Sequence, residues 1–453
     1  MLFANRGRQF IQYFSCAGMP SSSPNALLTR LAAAGRSYRP SRRSRWVRAI
    51  GDQFGQFSRF VRVQAAQKME SPWSPDDDIV YSDQAALERD GLVRPSKTFT
   101  EIFADDAVLI TRLTVILLRL FGFGWKWMMG TFRLVVFVIL LLPAFTIMFG
   151  RYLMAPNIRR GIRYGIHARS FLDIYLPTDT TLRPEAGWPV VVFFPGGAWI
   201  IGHRAWASIM GWEMARKGIV FVSIDYRNFP QGRIIDMLVD ADNAISFVFD
   251  NIASYDGDTT NITLCGQSAG AHIAAVALVQ QCKWERAEPR VAWRPSQLRR
   301  FIGIAGPYDL EAVCQHLHGR GLYKRVLRKI MGRNLVMWSP TCALNDHDHQ
   351  KTPLGEFPEV ILFHGDADRT VPVSSSLEFC SALKRVVVDV RLRIYKGKTH
   401  TDLILEDSMA GYDPFLQEFI AIVRNESPPE VMQRSWPMCF RWQIALARYI
   451  NPF

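Results

Sequence analysis

Three residues in this chain have the types needed for serine-based acyl transfer: Ser268, Asp368 and His400. Ser268 is the centre of Gly266-Gln267-Ser268-Ala269-Gly270. A free hydroxyl is a poor nucleophile near neutral pH and needs a general base, which in turn needs a carboxylate to fix its tautomer and stabilise the imidazolium. His400 closes the segment Tyr395-Lys396-Gly397-Lys398-Thr399-His400, and the acids lie in Phe363-His364-Gly365-Asp366-Ala367-Asp368-Arg369-Thr370-Val371-Pro372. Asp368 is chosen over Asp366 because it sits deeper in this loop, before the Val371-Pro372 turn. Asp366 is expected to cap or brace that turn. Of the other histidines, His272 lies four residues past Ser268 and is expected to point away from the site, and His364 is expected to be structural.

Ester hydrolysis also needs donors for the oxyanion that develops on the carbonyl. Pro195-Gly196-Gly197-Ala198-Trp199 supplies a loop in which glycine lets backbone N–H groups approach a substrate closely. The candidate donors are the amides of Gly197 and Ala198, completed by that of Ala269 just after the nucleophile. Each such donor contributes about 2.7–4 kcal/mol to transition-state stabilisation.

These residues must be positioned by short apolar runs alternating with helices. The run 261–265 precedes the Ser268 turn, and 271–278, rich in helix formers, follows it. A strand, G-x-S-x-G and a helix form the context of a nucleophile elbow, where the flanking glycines avoid a Cβ clash. Further strands are read at 170–177, 189–194, 219–226, 301–306, 360–363 and 388–395, with amphipathic helices near 234–249 and 413–423. The alternation predicts an α/β domain over 164–425 with a doubly wound, mostly parallel sheet and the active site at the strands' carboxyl ends. In such a sheet the order Ser268, Asp368, His400 is the required one. Residues 310–357 are too long for a simple connection and are read as a cap over the site, with a surface insertion as the alternative. Residues 426–453 are read as a C-terminal tail.

The N-terminal third has a different character. Residues 1–69 carry twelve Lys/Arg and one acid, a basic tail that also resembles a transit peptide. Residues 70–106 carry ten acids and three bases and read as an acidic linker. Residues 107–150 read as a membrane segment, best at 134–150, which is uncharged for 17 residues between Arg133 and Arg151. Arg112, Arg119, Lys126 and Arg133 recur every seven residues. They suit an amphipathic helix in the headgroup region or a first crossing of a two-helix hairpin. The net charge is +13, yet 164–453 carries only +1, which argues against nucleic acid as a partner. The seven cysteines, without CxxC spacing, suggest neither a disulfide framework nor a metal site, and mildly favour a reducing compartment. No cofactor is expected.

Residues 165–425 resemble the hormone-sensitive-lipase-like branch of the α/β-hydrolases. The segments 196–202 with Ala205-Trp206, 225–232 and 266–272 are more closely similar to plant isoprenylcysteine α-carbonyl methylesterases. The resemblance implies hydrolysis of the methyl ester on C-terminal prenylcysteines, in endoplasmic-reticulum and Golgi membranes. It also implies substrate contacts at Gly196, Gly197, Ala198, Trp199, Gln267 and Ala269. A broad carboxylesterase or arylformamidase is the alternative. The lipase branch has a histidine before its Gly-Gly where this chain has Pro195, so the oxyanion loop must be braced differently. The catalytic domain is expected on the cytosolic side, because a basic N-terminus stays cytosolic and two crossings, or none, return the domain there.

Overall fold

The computed structural model describes residues 124–287, 293–332, 334–345 and 357–451. The basic tail, the acidic linker and the part of the membrane segment before Gly124 lie outside the described residues, as do residues 346–356 of the expected cap.

Helix α1 (Trp125–Leu140) and helix α2 (Leu142–Met154) open the described chain. The stretch 134–150, expected as one apolar span, is divided between them by a 70° bend, and among the described residues no single helix is long and apolar enough to cross a membrane. The bend has a local cause. Pro143 stands in the first turn of α2, where it lacks an N–H to continue the α1 ladder and its ring would clash with the carbonyl four residues back. Leu141 ends α1 instead, bonding to the Phe137 and Ile139 carbonyls.

An eight-stranded sheet follows: β1 (Ile158–Arg163), β2 (Phe171–Tyr175), β3 (Trp188–Phe194), β4 (Val220–Ile224), β5 (Gly257–Gln267), β6 (Arg300–Ile304), β7 (Glu359–Gly365) and β8 (Val390–Tyr395). The spatial order is β1-β2-β4-β3-β5-β6-β7-β8, with the β1–β2 and β2–β4 pairings antiparallel and the rest parallel. β3 to β7 read as near-continuous apolar runs because helices cover both faces. β1 was not anticipated. Its Arg159, Arg160 and Arg163 give it no apolar alternation, and it forms only as an edge hydrogen-bonded to β2.

The helices of this layer are α3 (Ser208–Arg216), α4 (Ile234–Asn251), α5 (Ala269–Ala287), α6 (Leu310–Gly319), α7 (Lys324–Ile330), α8 (Pro340–Asn345) and α9 (Ser374–Arg385). They continue with α10 (Glu406–Met409), α11 (Pro414–Arg424) and α12 (Arg441–Ile450). The main core joins Val191, Phe193, Phe221 and Phe363 of the sheet to Phe415 and Phe419 of α11. A second cluster joins Phe137, Leu141, Ala144 and Met148 to Met409, Ile444 and Ala447. Residues 426–451 are therefore not a trailing tail: α12 packs on α1 and buries Ile444 and Ala447.

Asp173 of β2, fully buried, ties α2 to the sheet edge. It accepts from Tyr152 Oη of α2 at 2.6 Å, Gly161 N of β1 at 2.7 Å and Arg204 Nε at 2.9 Å. Asp173→Ala would leave a partly buried Arg204 with one carboxylate fewer and two donors unpaired. We expect it to lower stability by about 3–5 kcal/mol, read as a lower denaturant midpoint with an unchanged m-value.

Candidate active site

Ser268 follows the last residue of β5 and has φ +53°, in the left-handed region that non-glycine residues rarely occupy. Ser268 N donates to Ile304 O of β6 at 2.8 Å, and His272 N donates to Ser268 O at 3.1 Å. No larger residue fits on either side. A Cβ on Gly270 would lie 2.0 Å from Phe194 O, and one on Gly266 would lie 2.5 Å from the carbonyl of Gly270. Ala269 opens α5, so its N–H has no acceptor within the helix.

The three sequence-predicted residues are brought together by the loops after β5, β7 and β8. His400 Nε2 lies 2.8 Å from Ser268 Oγ, and His400 Nδ1 lies 2.7 Å from Asp368 Oδ2. All three side chains are nearly buried. The other oxygen of Asp368 accepts from Thr370 N at 2.8 Å and Val371 N at 2.9 Å. Burial alone would raise the Asp368 carboxyl, but His400 and then His364 overcome that effect and hold it well below the usual carboxylate range. His400 Nδ1 therefore carries a proton toward a carboxylate, which leaves Nε2 free to accept from Ser268.

His364 belongs to the loop, as expected, and holds Asp368 as well. Its Nε2 lies between Asp368 Oδ2 at 3.1 Å and Val371 O at 2.9 Å, and its Nδ1 is 2.7 Å from Ser376 Oγ. Two acceptors around Nε2 place the proton there, so Nδ1 accepts from Ser376. Asp366 braces a different turn from the expected one: its Oδ1 accepts from Gly397 N, in the segment that leads to His400. Position in the fold distinguishes the two acids, since only Asp368 turns toward the imidazole.

The oxyanion loop lies against the nucleophile. A Cβ on Gly196 would meet Gln267 Oε1 at 2.1 Å and Ser268 Cβ at 3.0 Å. Gly197 has φ +135°, and Ala198 and Trp199 have φ +50° and +61°. This strained run is held from several sides. Tyr226 Oη donates to Pro195 O at 2.7 Å, Phe229 N to Trp199 O at 2.8 Å, and Asn228 Nδ2 to Gly202 O at 2.7 Å. Arg169 Nη2 also donates to Gly202 O, at 2.6 Å. The 225–232 segment thus supplies the bracing that a histidine at the position of Pro195 would otherwise provide. Gln267 Nε2 sits 3.5 Å from His400 Nε2.

Two residues take places that the sequence did not reveal. Trp199 is 2% exposed, so its indole faces the interior. Its Nε1 donates to His272 Nδ1 at 3.3 Å, and the rings meet edge to face at 5.4 Å. His272 does point away from Ser268, but it closes a chain from the oxyanion loop to Trp338 O, which accepts from His272 Nε2 at 2.7 Å. Only a helix register of four residues past the nucleophile hinted at this, and the partner indole is 73 positions distant. Burial lowers the His272 pKa to about 4, against an opposing hydrogen bond to Trp338 O.

A buried carboxylate–imidazole–hydroxyl relay beside a glycine-rich N–H loop, on a mostly parallel sheet, defines a serine carboxylic ester hydrolase with the α/β-hydrolase fold. A model of the BD-FAE family matches residues 172–383. A probable isoprenylcysteine alpha-carbonyl methylesterase of Oryza sativa subsp. japonica is 36% identical over 390 residues, covering 84% of this chain and 92% of that protein. The isoprenylcysteine alpha-carbonyl methylesterase of Arabidopsis thaliana is 39% identical over 363 residues, covering 77% and 83%. Esterase B from Lactobacillus Rhamnosis (HN001) shares the fold, with TM-score 0.50 and 15% identity over 65% of this chain and 94% of that one. The chain belongs to the isoprenylcysteine alpha-carbonyl methylesterase family.

The depressed His272 pKa gives a signed prediction. Between pH 6.5 and about 4 the unfolded chain binds a proton there that the folded chain does not, so this contribution to stability falls as pH falls. It is fully present above pH 6.5 and lost by about pH 4. His272→Gln should flatten the stability–pH curve in that window by up to about 3 kcal/mol relative to wild type, measured by urea unfolding at stepped pH.

Proposed function

We propose that this chain hydrolyses the methyl ester of C-terminal isoprenylcysteines, releasing methanol and a free carboxylate. The observation that carries this reading is the continuous relay Asp368–His400–Ser268, with contacts of 2.7 and 2.8 Å, in a member of a methylesterase family. Ser268 Oγ attacks the ester carbonyl while His400 Nε2 takes its proton. The amides of Gly197, Ala198 and Ala269 receive the oxyanion, with Gly196 giving close access. His400 returns the proton to the departing methoxide, and a water activated by the same nitrogen then cleaves the acyl-enzyme. Gln267 and the backbone of Trp199 border the acyl group.

The test is methanol release from farnesylcysteine methyl ester by the full chain in detergent micelles, beside a panel of simple esters and an N-formyl anilide. We expect the prenylated ester to have the highest kcat/KM. A panel in which the simple esters or the formyl anilide lead would overturn the substrate assignment and support a broad carboxylesterase or arylformamidase. Ser268→Ala and His400→Ala should each lower kcat by at least about a thousandfold, with the double variant little worse. Asp368→Asn should lose on the order of 10⁴-fold. Additive losses in the double variant would remove His400 as the base.

The same reading includes a lipid surface as partner, with the protein on endoplasmic-reticulum and Golgi membranes and the catalytic domain in the cytosol. Exposed Trp125, Phe132, Ile139, Ile147, Phe149 and Met154 on α1 and α2 support it. So do Trp442, Leu446 and Tyr449, one exposed face of α12. The segments 124–163 and 431–453 carry nine Lys/Arg and no acid, a charge that suits anionic headgroups. The chain should co-float with phosphatidylserine-containing vesicles, and Phe132→Glu with Trp442→Glu should weaken flotation. In intact microsomes, protease should cut the catalytic domain without detergent; protection would place it in the lumen.

A further inference from the structure

The chemistry of the site leaves one buried charged cluster unused. Asp402, Glu406 and Asp407, all nearly inaccessible, lie within seven residues of His400. Asp402 Oδ2 accepts from Thr399 N at 2.8 Å and Thr399 Oγ1 at 2.9 Å, and Thr401 Oγ1 donates to Glu406 Oε1 at 2.8 Å. The residues on both sides of the imidazole are thus bound to carboxyl groups. Those carboxyl groups are in turn held by a helix about fifty residues further along the chain. Arg448 of α12 donates through Nε to Asp402 Oδ1 at 2.7 Å and through Nη2 to Asp407 Oδ1 at 2.6 Å. Asn451 Nδ2 reaches Glu406 Oε1 at 2.8 Å, Thr401 Oγ1 at 2.9 Å and Thr399 Oγ1 at 3.4 Å.

We propose that Arg448 and Asn451, at the end of the C-terminal helix, are positioning residues for the His400 imidazole. His400 must meet Asp368 Oδ2 and Ser268 Oγ at once, which tolerates only about 0.5 Å of error. The ring is buried and meets Asp368 and Ser268 through its two nitrogens, while the backbone that carries it runs between Thr399 and Thr401. The cluster closes its own charge balance. Burial, with the nearby Asp402 charge, pushes Glu406 up to about 8, so it is a neutral acid at pH 7. Asp402 and Asp407 then face the cations of Arg448 and Lys398, whose Nζ is 2.6 Å from Asp407. Arg133 of α1 fixes the far end of the device, donating to Ile450 O at 2.9 Å and Asn451 O at 3.0 Å. The apolar N-terminal helix, the C-terminal helix and the histidine loop are therefore one hydrogen-bonded chain of contacts.

The inference rests on His400 acting as the base for Ser268, and the experiment separates the two. Full-length Asn451→Ala, Arg448→Gln, Arg448→Lys and His400→Ala are compared in detergent micelles on p-nitrophenyl acetate, with folded active sites titrated by a fluorophosphonate. A displacement of the imidazole by about 1 Å costs on the order of 10²-fold. We expect kcat per titrated site to fall about 10- to 100-fold in Asn451→Ala and Arg448→Gln, with KM changed less than twofold. Arg448→Lys should recover part of the loss, because one ammonium can serve only one of the two carboxylates well. If Asn451→Ala fails to fold, the isosteric Thr401→Val removes the bonds from Thr401 Oγ1 to Asn451 and Glu406 and should also lower kcat with KM little changed. Wild-type kcat per titrated site with only a lower Tm would make Arg448 and Asn451 merely structural and overturn the proposal. Activity surviving in His400→Ala would overturn the base assignment itself, and the proposal with it.

Discussion

Ser268 is held in the left-handed region by a turn that has no spare volume. The neighbouring glycines are packed against the Phe194 carbonyl and against each other's backbone, so that a single added methyl at Gly270 would fall 2.0 Å from an oxygen. This constraint sets everything around the site. The tight turn points the hydroxyl out beyond the sheet, sets Ala269 N–H free at the start of α5, and lets β3 lie beside β5 with Phe194 opposite Gly266. That adjacency brings the loop after β3 against the nucleophile. The backbone strain at φ +53° is maintained by sheet pairing and burial on all sides.

Around the turn, the fold repeats one device: a reactive group is placed by a loop, and the loop is placed by buried polar contacts. Asp368 receives Thr370 N, Val371 N, His364 and His400, and this set of donors outweighs its burial. The oxyanion loop is fastened by Tyr226, Asn228 and Arg169, and by the Trp199–His272 contact. Asp225 joins the same scaffold, pairing with Arg169 at 2.8 Å and Arg204 at 2.7 Å, while Arg204 also holds Asp173. The carboxylates of these ion pairs are buried and their arginines partly so, each carboxylate being satisfied, the condition under which such groups specify geometry rather than merely cost desolvation.

The basic, acid-free segments are also the ones that carry exposed aromatic and aliphatic side chains. In 164–430 the large apolar side chains mostly turn inward to the sheet, and charges of both signs occupy the surface. In α1, α2 and α12 one face packs inward through Phe137, Ala144, Ile444 and Ala447 while the opposite face remains apolar. The 70° bend at Leu141 lets α1 and α2 share a single core cluster while both keep such an outer face.

Much of the site was legible in local sequence because its chemistry is local. The elbow needs small residues two positions either side of the serine. Asp368 and His400 must follow strands, and the central strands declare themselves as short, largely apolar runs. Even the choice of Asp368 over Asp366 was available from its place before the Val371 turn, although the contact Asp366 makes, to Gly397, was not. What the sequence could not disclose are partners separated by tens to hundreds of positions. Edge strand β1 has no apolar alternation and exists through its pairing with β2. His272 is a lone histidine until Trp199 is folded over it. The C-terminal segment reads as a tail because its ten-residue helix is too short to be stable alone. It is decided by α1 and by the carboxyl groups beside His400. Sequence determines which groups are chemically able to react and which turns can hold them. Tertiary packing decides which buried polar groups share a proton or a charge, because that depends on burial and on distance through space, neither of which is written along the chain.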